Sequence, residues 1–160
     1  VQRIVDSHGG TVELQSTRGL GTTITVYLRR PEGRRLLVAD DDEGTRETVA
    51  EVLRHAGYTV AEAGDGAEAL AVLHASDVDL VVLDLRMPVI DGWTVLAHLE
   101  RSGRDARSRP AVVIATGETL DENGPASLER SGVTVLRKPV APEVLLSAVA
   151  RTLTAHEPIG

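Results

Sequence analysis

The chain has 160 residues, of which 42% are hydrophobic and 26% charged, with no cysteine and a formal net charge of −7. Those proportions suit a globular, soluble fold of one domain plus some additional sequence. They exclude disulfides and thiolate metal sites, and the acidic balance argues against nonspecific nucleic-acid binding, which needs a basic face. No stretch is apolar enough to cross a bilayer and nothing resembles a secretory signal, so no direct membrane contact is expected of this segment.

Charge divides the chain near Arg34. Up to that residue there are five Arg against three acids, whereas the remainder carries twelve basic and twenty-one acidic residues. The sequence opens at Val1, without an initiator Met and already in a helical pattern, which reads as a fragment of something longer. Val1–His8 reads as the end of a helix with Ile4 and Val5 on its apolar side, stopped by Gly9-Gly10. Val12 and Leu14, then Ile24, Val26 and Leu28, alternate with polar neighbours, which predicts two antiparallel strands around a turn at Arg18-Gly19-Leu20-Gly21. A helix and hairpin of this size cannot bury an adequate core alone and need a partner surface. Arg29–Arg34, containing Pro31 and Gly33, reads as a linker.

From Arg35 onward apolar runs alternate with amphipathic stretches. The spacing predicts strands at Leu36–Ala39, Thr59–Ala61, Leu80–Leu83, Ala111–Ala115 and Thr134–Leu136. The third and fourth are almost purely aliphatic, as parallel strands covered on both faces should be. Four helical stripes intervene: Val49, Val52, Leu53 and Ala56; Ala67, Leu70, Ala71 and His74; Val95, Leu96 and Leu99; and Val144, Leu145, Ala148 and Val149, the last with Pro142 in its first turn. Leu120–Ser131 is a fifth helical segment, interrupted by Gly124-Pro125. Five strands alternating with five helices form an open α/β sheet, whose ligands bind outside the carboxyl ends of the strands.

Those ends carry chemistry. The first strand runs into Asp40-Asp41-Asp42, the third into Asp84, the fourth into Thr116 and the fifth into Lys138-Pro139. Crowded carboxylates favour a hard divalent cation such as Mg²⁺. A carboxylate beside such a cation and an ammonium group is poised to receive a phosphoryl group, a reaction catalysed mainly by positioning and charge neutralisation. Asp42 is read as a helix N-cap, and a lone Thr or Lys at a strand end is usually solvated surface, but four matching strand ends together outweigh that reading.

The motifs Leu-Leu-Val-Ala-Asp-Asp-Asp, Val-Val-Leu-Asp-Leu-Arg-Met-Pro-Val-Ile-Asp-Gly, Val-Ile-Ala-Thr-Gly and Leu-Arg-Lys-Pro, in that order and spacing, resemble those of a response-regulator receiver domain over residues 35–155. The resemblance implies a flavodoxin-like five-stranded parallel sheet of order 2-1-3-4-5 with helices on both faces. It implies that Asp84 is the phosphoacceptor, that Asp40 and Asp41 are Mg²⁺ acids, and that the backbone carbonyl of Arg86 is a further metal ligand. Thr116 and Lys138 become the phosphoryl contacts, Met87-Pro88 and Asp91-Gly92 shape the loop after the acceptor strand, and the Lys138-Pro139 bond is cis, aiming Lys138 into the site.

Three positions depart from or modulate that pattern. The switch aromatic of the family falls on Val135, which has no ring to swing, so the output half of the switch differs here. Arg86 and Glu118 occupy positions where the family tunes phosphate lifetime; either their opposite charges pair and slow autodephosphorylation, or they are two independent solvated side chains. Trp93 is read as a packing residue and, as the only Trp, a fluorescence reporter. The five His show no metal spacing.

The segment Ile4-Val-Asp-Ser-His-Gly-Gly-Thr-Val-Glu-Leu, followed by Gly19-Leu-Gly-Thr-Thr-Ile-Thr-Val-Tyr-Leu, resembles the tail of a histidine-kinase ATP-binding domain. The layout implied is a remnant of that domain at residues 1–29, a linker at 30–34, a receiver at 35–155 and a tail at 156–160, as in the carboxyl part of a hybrid histidine kinase. The motifs that hold ATP and the phosphoacceptor His are not in this segment, so it is not expected to phosphorylate itself from ATP. The expected partners are a kinase phosphoacceptor domain, that of its own parent chain, and a downstream His-phosphotransfer protein; this segment is expected in the cytoplasm, with a parent kinase either free or membrane-anchored. The few residues after Ala155 favour relay over direct transcriptional output. The alternatives are a degenerate receiver serving as a phosphorylation-independent interaction module, and a Mg²⁺-dependent phosphatase; Arg86 stands where the phosphatase would carry a second acid.

Overall fold

The computed structural model describes residues 11–17, 21–27, 33–102, 109–117, 128 and 133–156. The chain divides into two compact units, Val1–Arg30 and Pro31–Gly160. In the first, β1 (Thr11–Thr17) and β2 (Gly21–Tyr27) pair antiparallel with Val12 opposite Val26 and Leu14 opposite Ile24. This is the predicted hairpin. The helix expected at Val1–His8, the turn residues Arg18–Leu20, the segment Leu120–Ser131 apart from Leu128, and Glu118 lie outside the described residues.

The second unit is built from β3 (Arg35–Ala39), α1 (Glu43–His55), β4 (Thr59–Ala63), α2 (Gly66–Ala75), β5 (Leu80–Leu83), α3 (Gly92–Arg101), β6 (Ala111–Thr116), β7 (Thr134–Arg137) and α4 (Pro142–His156). The sheet order is β4-β3-β5-β6-β7 with every pairing parallel, which is the expected 2-1-3-4-5 arrangement. Each predicted strand is present and ends within two residues of its expected bounds.

Side chains alternate across the sheet and build two apolar layers. Leu37, Ala39, Val81, Leu83, Val112 and Ile114 pack on one face with Ala69 of α2 and Val95, Leu96 and Leu99 of α3. Leu36, Val38, Leu80, Val82, Val113 and Ala115 pack on the other with Ala50 and Leu53 of α1 and Leu145, Val149 and Leu153 of α4. All residues of β5 and β6 are buried, as their aliphatic composition requires.

Two helical stripes differ from expectation. On α2, Gly66 and Ala69 are the buried positions, with Leu70, Val72 and Leu73 partly covered, whereas Ala67, Ala71 and His74 are exposed. The stretch Ala-Glu-Ala-Leu-Ala-Val-Leu-His-Ala offers almost no polar contrast, so its period has no unique phase. Its rotation is set instead by Gly66, whose N–H donates to the carbonyl of Ile90 at 3.1 Å. A Cβ at Gly66 would lie 2.1 Å from that carbonyl oxygen. On α4, Val144 is half exposed and the buried stripe starts at Leu145. Pro142 opens this helix, as predicted.

Candidate functional site

Three helices that begin at the carboxyl end of the sheet are capped by Asp. Asp42, Asp65 and Asp91 accept the N–H groups of Thr45, Glu68 and Thr94, each at 2.8 Å. Each bond satisfies one of the amides a helix leaves unpaired at its start. Asp42 is therefore the N-cap of α1, as the sequence suggested. At α2, Glu68 also reaches back to the N–H of Gly64 at 2.7 Å, a variant of the reciprocal capping box. The caps fix where the chain leaves each strand and hence where the strand-end carboxylates point.

Asp40 and Asp84 follow the neighbouring strands β3 and β5, and the N–H of Asp84 donates to Ala39 O at 2.9 Å, adding a rung beyond the ladder. Both carboxylates are nearly buried, 5% and 7% exposed, while Asp41 is exposed at the rim. Each of the three offers an oxygen, and these oxygens lie within 4.8 Å of one another. Octahedral Mg²⁺ binds oxygens at about 2.1 Å, placing its ligand atoms about 3–4 Å apart. The cluster fits that ion with a small contraction, and its donors are hard oxygens throughout.

Lys138 enters from the far side of the sheet. Its Nζ donates to Asp40 Oδ2 and, at 3.1 Å, to Asp84 Oδ2. The Lys138-Pro139 bond is cis, as expected, and the Lys138 N–H donates to the carbonyl of Thr116 at 3.0 Å. Thr116 ends β6 and is 1% exposed. The four strand ends thus converge as predicted, and Thr116 and Lys138 are joined through their backbones.

Burial dominates the electrostatics of Asp40 and pushes its carboxyl above the ordinary range, against the hydrogen bonds from Lys138 and from the Asp42 N–H at 3.0 Å. Burial also works against the Lys138 ammonium, but hydrogen bonds and charge from Asp40 and Asp84 outweigh it and raise its pKa. An ammonium shared by two carboxylates in a partly desolvated pocket stays charged.

The loop after β5 closes the site. The N–H of Arg86 donates to Asp84 Oδ1 at 3.2 Å, and the side chain of Arg86 is exposed. Met87 is buried against the core. Val89 has φ +66°, and the Ile90 N–H donates across it to Pro88 O at 2.8 Å, a γ-turn of the strained hand. Gly92 then packs its α-carbon against the backbone at Asp84 and Leu85 and donates its N–H to Leu85 O at 3.0 Å.

One positioning residue carried no sequence signal. Arg46, on the first turns of α1, donates from Nη1 to the carbonyl of Asp40 at 2.9 Å and lies 3.7 Å from Glu62 of β4. Val135, at the position of the expected aromatic, is half-buried against the core and pairs in register with Ile114. The proposed partner of Arg86, Glu118, lies outside the described residues.

A family model for the response regulator receiver domain matches residues 36–150. The chain belongs to this family. Curated relatives include the response regulator MprA of Mycobacterium ulcerans, 37% identical over 119 residues, which cover 74% of this chain and 50% of that protein. The MprA of Mycobacterium avium is 36% identical over 124 residues, covering 78% and 53%. The chain therefore spans about half the length of these relatives. Among solved structures, the chemotaxis protein CheY4 of Vibrio cholerae matches with a TM-score of 0.65 and 31% identity, over 74% of this chain and 98% of that one. A CheY-like receiver domain protein from Methanospirillum hungatei matches with a TM-score of 0.66 and 25% identity, over 77% and 95%. The receiver fold and its assignment to two-component signalling rest on these likenesses together with the sheet order above.

Proposed function

We propose that this receiver domain accepts a phosphoryl group from a phosphohistidine onto Asp84. The observation that carries the reading is the convergence of Asp40, Asp41 and Asp84 with Lys138 at the carboxyl end of the sheet. A carboxylate oxygen of Asp84 attacks phosphorus, the P–N bond to the donor imidazole breaks, and an acyl phosphate forms. Asp40, Asp41, Asp84 and the Arg86 carbonyl would hold Mg²⁺, which supplies neutralising charge to the phosphoryl oxygens during transfer. Lys138, already paired to Asp84, follows the added charge, and the Thr116 hydroxyl donates to a phosphoryl oxygen.

The reading extends to context. Residues 1–29 are taken as the remnant of a kinase ATP-binding domain, supported by the hairpin of β1 and β2 and the motif resemblance. The chain would then be the cytoplasmic carboxyl part of a hybrid histidine kinase, itself free or membrane-anchored, receiving phosphate from the parent's own phosphoacceptor domain and passing it to a His-phosphotransfer protein. Val135 favours a second reading, in which the domain binds partners without phosphorylation.

Mg²⁺-dependent labelling with acetyl phosphate separates the readings. Wild type is expected to label and Asp84→Asn to remain unlabelled. Failure of the wild type supports the interaction module, and labelling of Asp84→Asn places the acceptor elsewhere.

A further inference from the structure

His74 and His98 are 24 positions apart in sequence and lie on different helices, yet their rings meet. The ring centroids are 5.2 Å apart with planes at 75°. Each side chain sits in the last turn of its helix, α2 or α3, and both residues are exposed. They border a small cleft of about 50 Å³ whose other described lining residues are neutral, including the hydroxyls of Ser76 and Ser102. This seam lies on the α2–α3 face, outside the carboxylate cluster and the groove beside it.

The geometry suits a shared metal. A Zn–N bond of about 2.0–2.1 Å, continued along the nitrogen lone pair to the ring centre, places two imidazoles of a tetrahedral ion about 5 Å apart. The observed separation of 5.2 Å matches that spacing, and ring rotation about the side-chain torsions is the movement that would bring a nitrogen of each ring onto a common ion. Ligand type points the same way. The chain has no cysteine, and its acidic cluster offers only hard oxygen donors. Imidazole is the donor here that selects Zn²⁺, Ni²⁺ or Cu²⁺ over Mg²⁺.

We infer that His74 and His98 form a two-imidazole site for a divalent transition metal, completed by water, that staples α2 to α3. The site is separate in place and in ligand chemistry from the proposed Mg²⁺ cluster, so neither depends on the other. The alternative is an edge-to-face ring pair that only packs.

The test is titration of the full chain with Ni²⁺ by calorimetry in millimolar Mg²⁺, which occupies the carboxylates and leaves imidazoles free. One Ni²⁺ per chain is expected in the wild type and in His55→Ala and His156→Ala. His74→Ala and His98→Ala should each lose that binding. At a free Ni²⁺ concentration a hundredfold above its Kd, the folded-to-unfolded ratio of the wild type should rise about 100-fold, and not in either of those two variants. Trace Cu²⁺ should broaden wild-type amide resonances around residues 74 and 98 before any others. The inference is overturned if Ni²⁺ does not bind, if binding survives either substitution, or if the first amides broadened belong to another His or to the acidic cluster.

Discussion

Gly92 lies with its α-carbon against the carbonyl of Asp84, so that a Cβ there would come within 2.1 Å of that oxygen and 2.7 Å of Leu85 Cα. Both obstacles are backbone atoms, of Asp84 and of Leu85 just after β5, and neither can swing aside. Gly92→Ala must therefore displace either α3 or Asp84 itself. It is expected to cost about 2–3 kcal/mol, the upper range for overpacking, read as a lower urea midpoint. Labelling of Asp84 by acetyl phosphate should fall with it.

Arg46 acts at the other end of the cluster, on the carbonyl of Asp40. Arg46→Met keeps the aliphatic stem but leaves that carbonyl without its donor, at a cost of about 1–2 kcal/mol. Mg²⁺ affinity should weaken as Asp40 loses its anchor. Glu62→Gln weakens the contact with Arg46 Nε at 3.7 Å and the partly exposed ion pair with Arg54 at 2.9 Å, without touching the Asp40 carbonyl, and should change stability by less than about 1 kcal/mol. Parallel urea and Mg²⁺ titrations of the two variants distinguish an anchor from a surface ion pair.

Val89 combines φ +66° with a β-branched side chain that is 83% exposed. Left-handed backbone is costly for such a residue and tolerated by Asn, and no buried contact offsets the difference. Val89→Asn is expected to raise stability by about 1 kcal/mol, seen as a higher unfolding midpoint. An unchanged or lower midpoint would mean that the turn carries no strain.

The cap of α3 has a pH signature. The hydrogen bonds from Thr94 hold the Asp91 carboxyl below its ordinary value of 3.8. A depressed folded pKa means the capping bond stabilises the protein fully above the unfolded value and loses its effect as pH falls through the lowered one. The loss is therefore expected below pH 3.8. Carboxyl NMR titration should place Asp91 under that value, and Asp91→Ala should cost about 1 kcal/mol at neutral pH and progressively less in acid.

Trp93 is 38% exposed and lines, with Asp41, Arg86 and Met87, a groove of about 470 Å³ beside the cluster. Mg²⁺ added to the protein is expected to change the emission of this single Trp, and Asp41→Asn to reduce the response. A Trp signal unaffected by Mg²⁺ in a protein that still labels would place the ion away from Asp41.

The strands were legible because two-sided burial leaves an unmistakable aliphatic run, as in Leu80–Leu83. The site was legible because the residues that end those runs are the wrong chemistry for a core. What sequence did not carry was phase and reach. The alanine-rich α2 has no polar contrast to set its rotation, which depends on Gly66 meeting a carbonyl from another loop. Arg46 acts on a backbone atom, and a backbone acceptor has no letter in the sequence. The contact of His74 with His98 left no sequence pattern because two helices, not one, bring the rings together.

The rung that Asp84 adds between β5 and β3 has a kinetic consequence. Its amide is bonded to Ala39 at the end of a fully buried strand that has neighbours on both sides. Such amides exchange with solvent deuterium only when the whole domain opens, whereas the exposed γ-turn at Val89 exchanges by local fluctuation. The Asp84 carboxylate is therefore carried on a backbone position that the sheet holds closed, and the phosphoryl transfer proposed for it would proceed without that backbone opening.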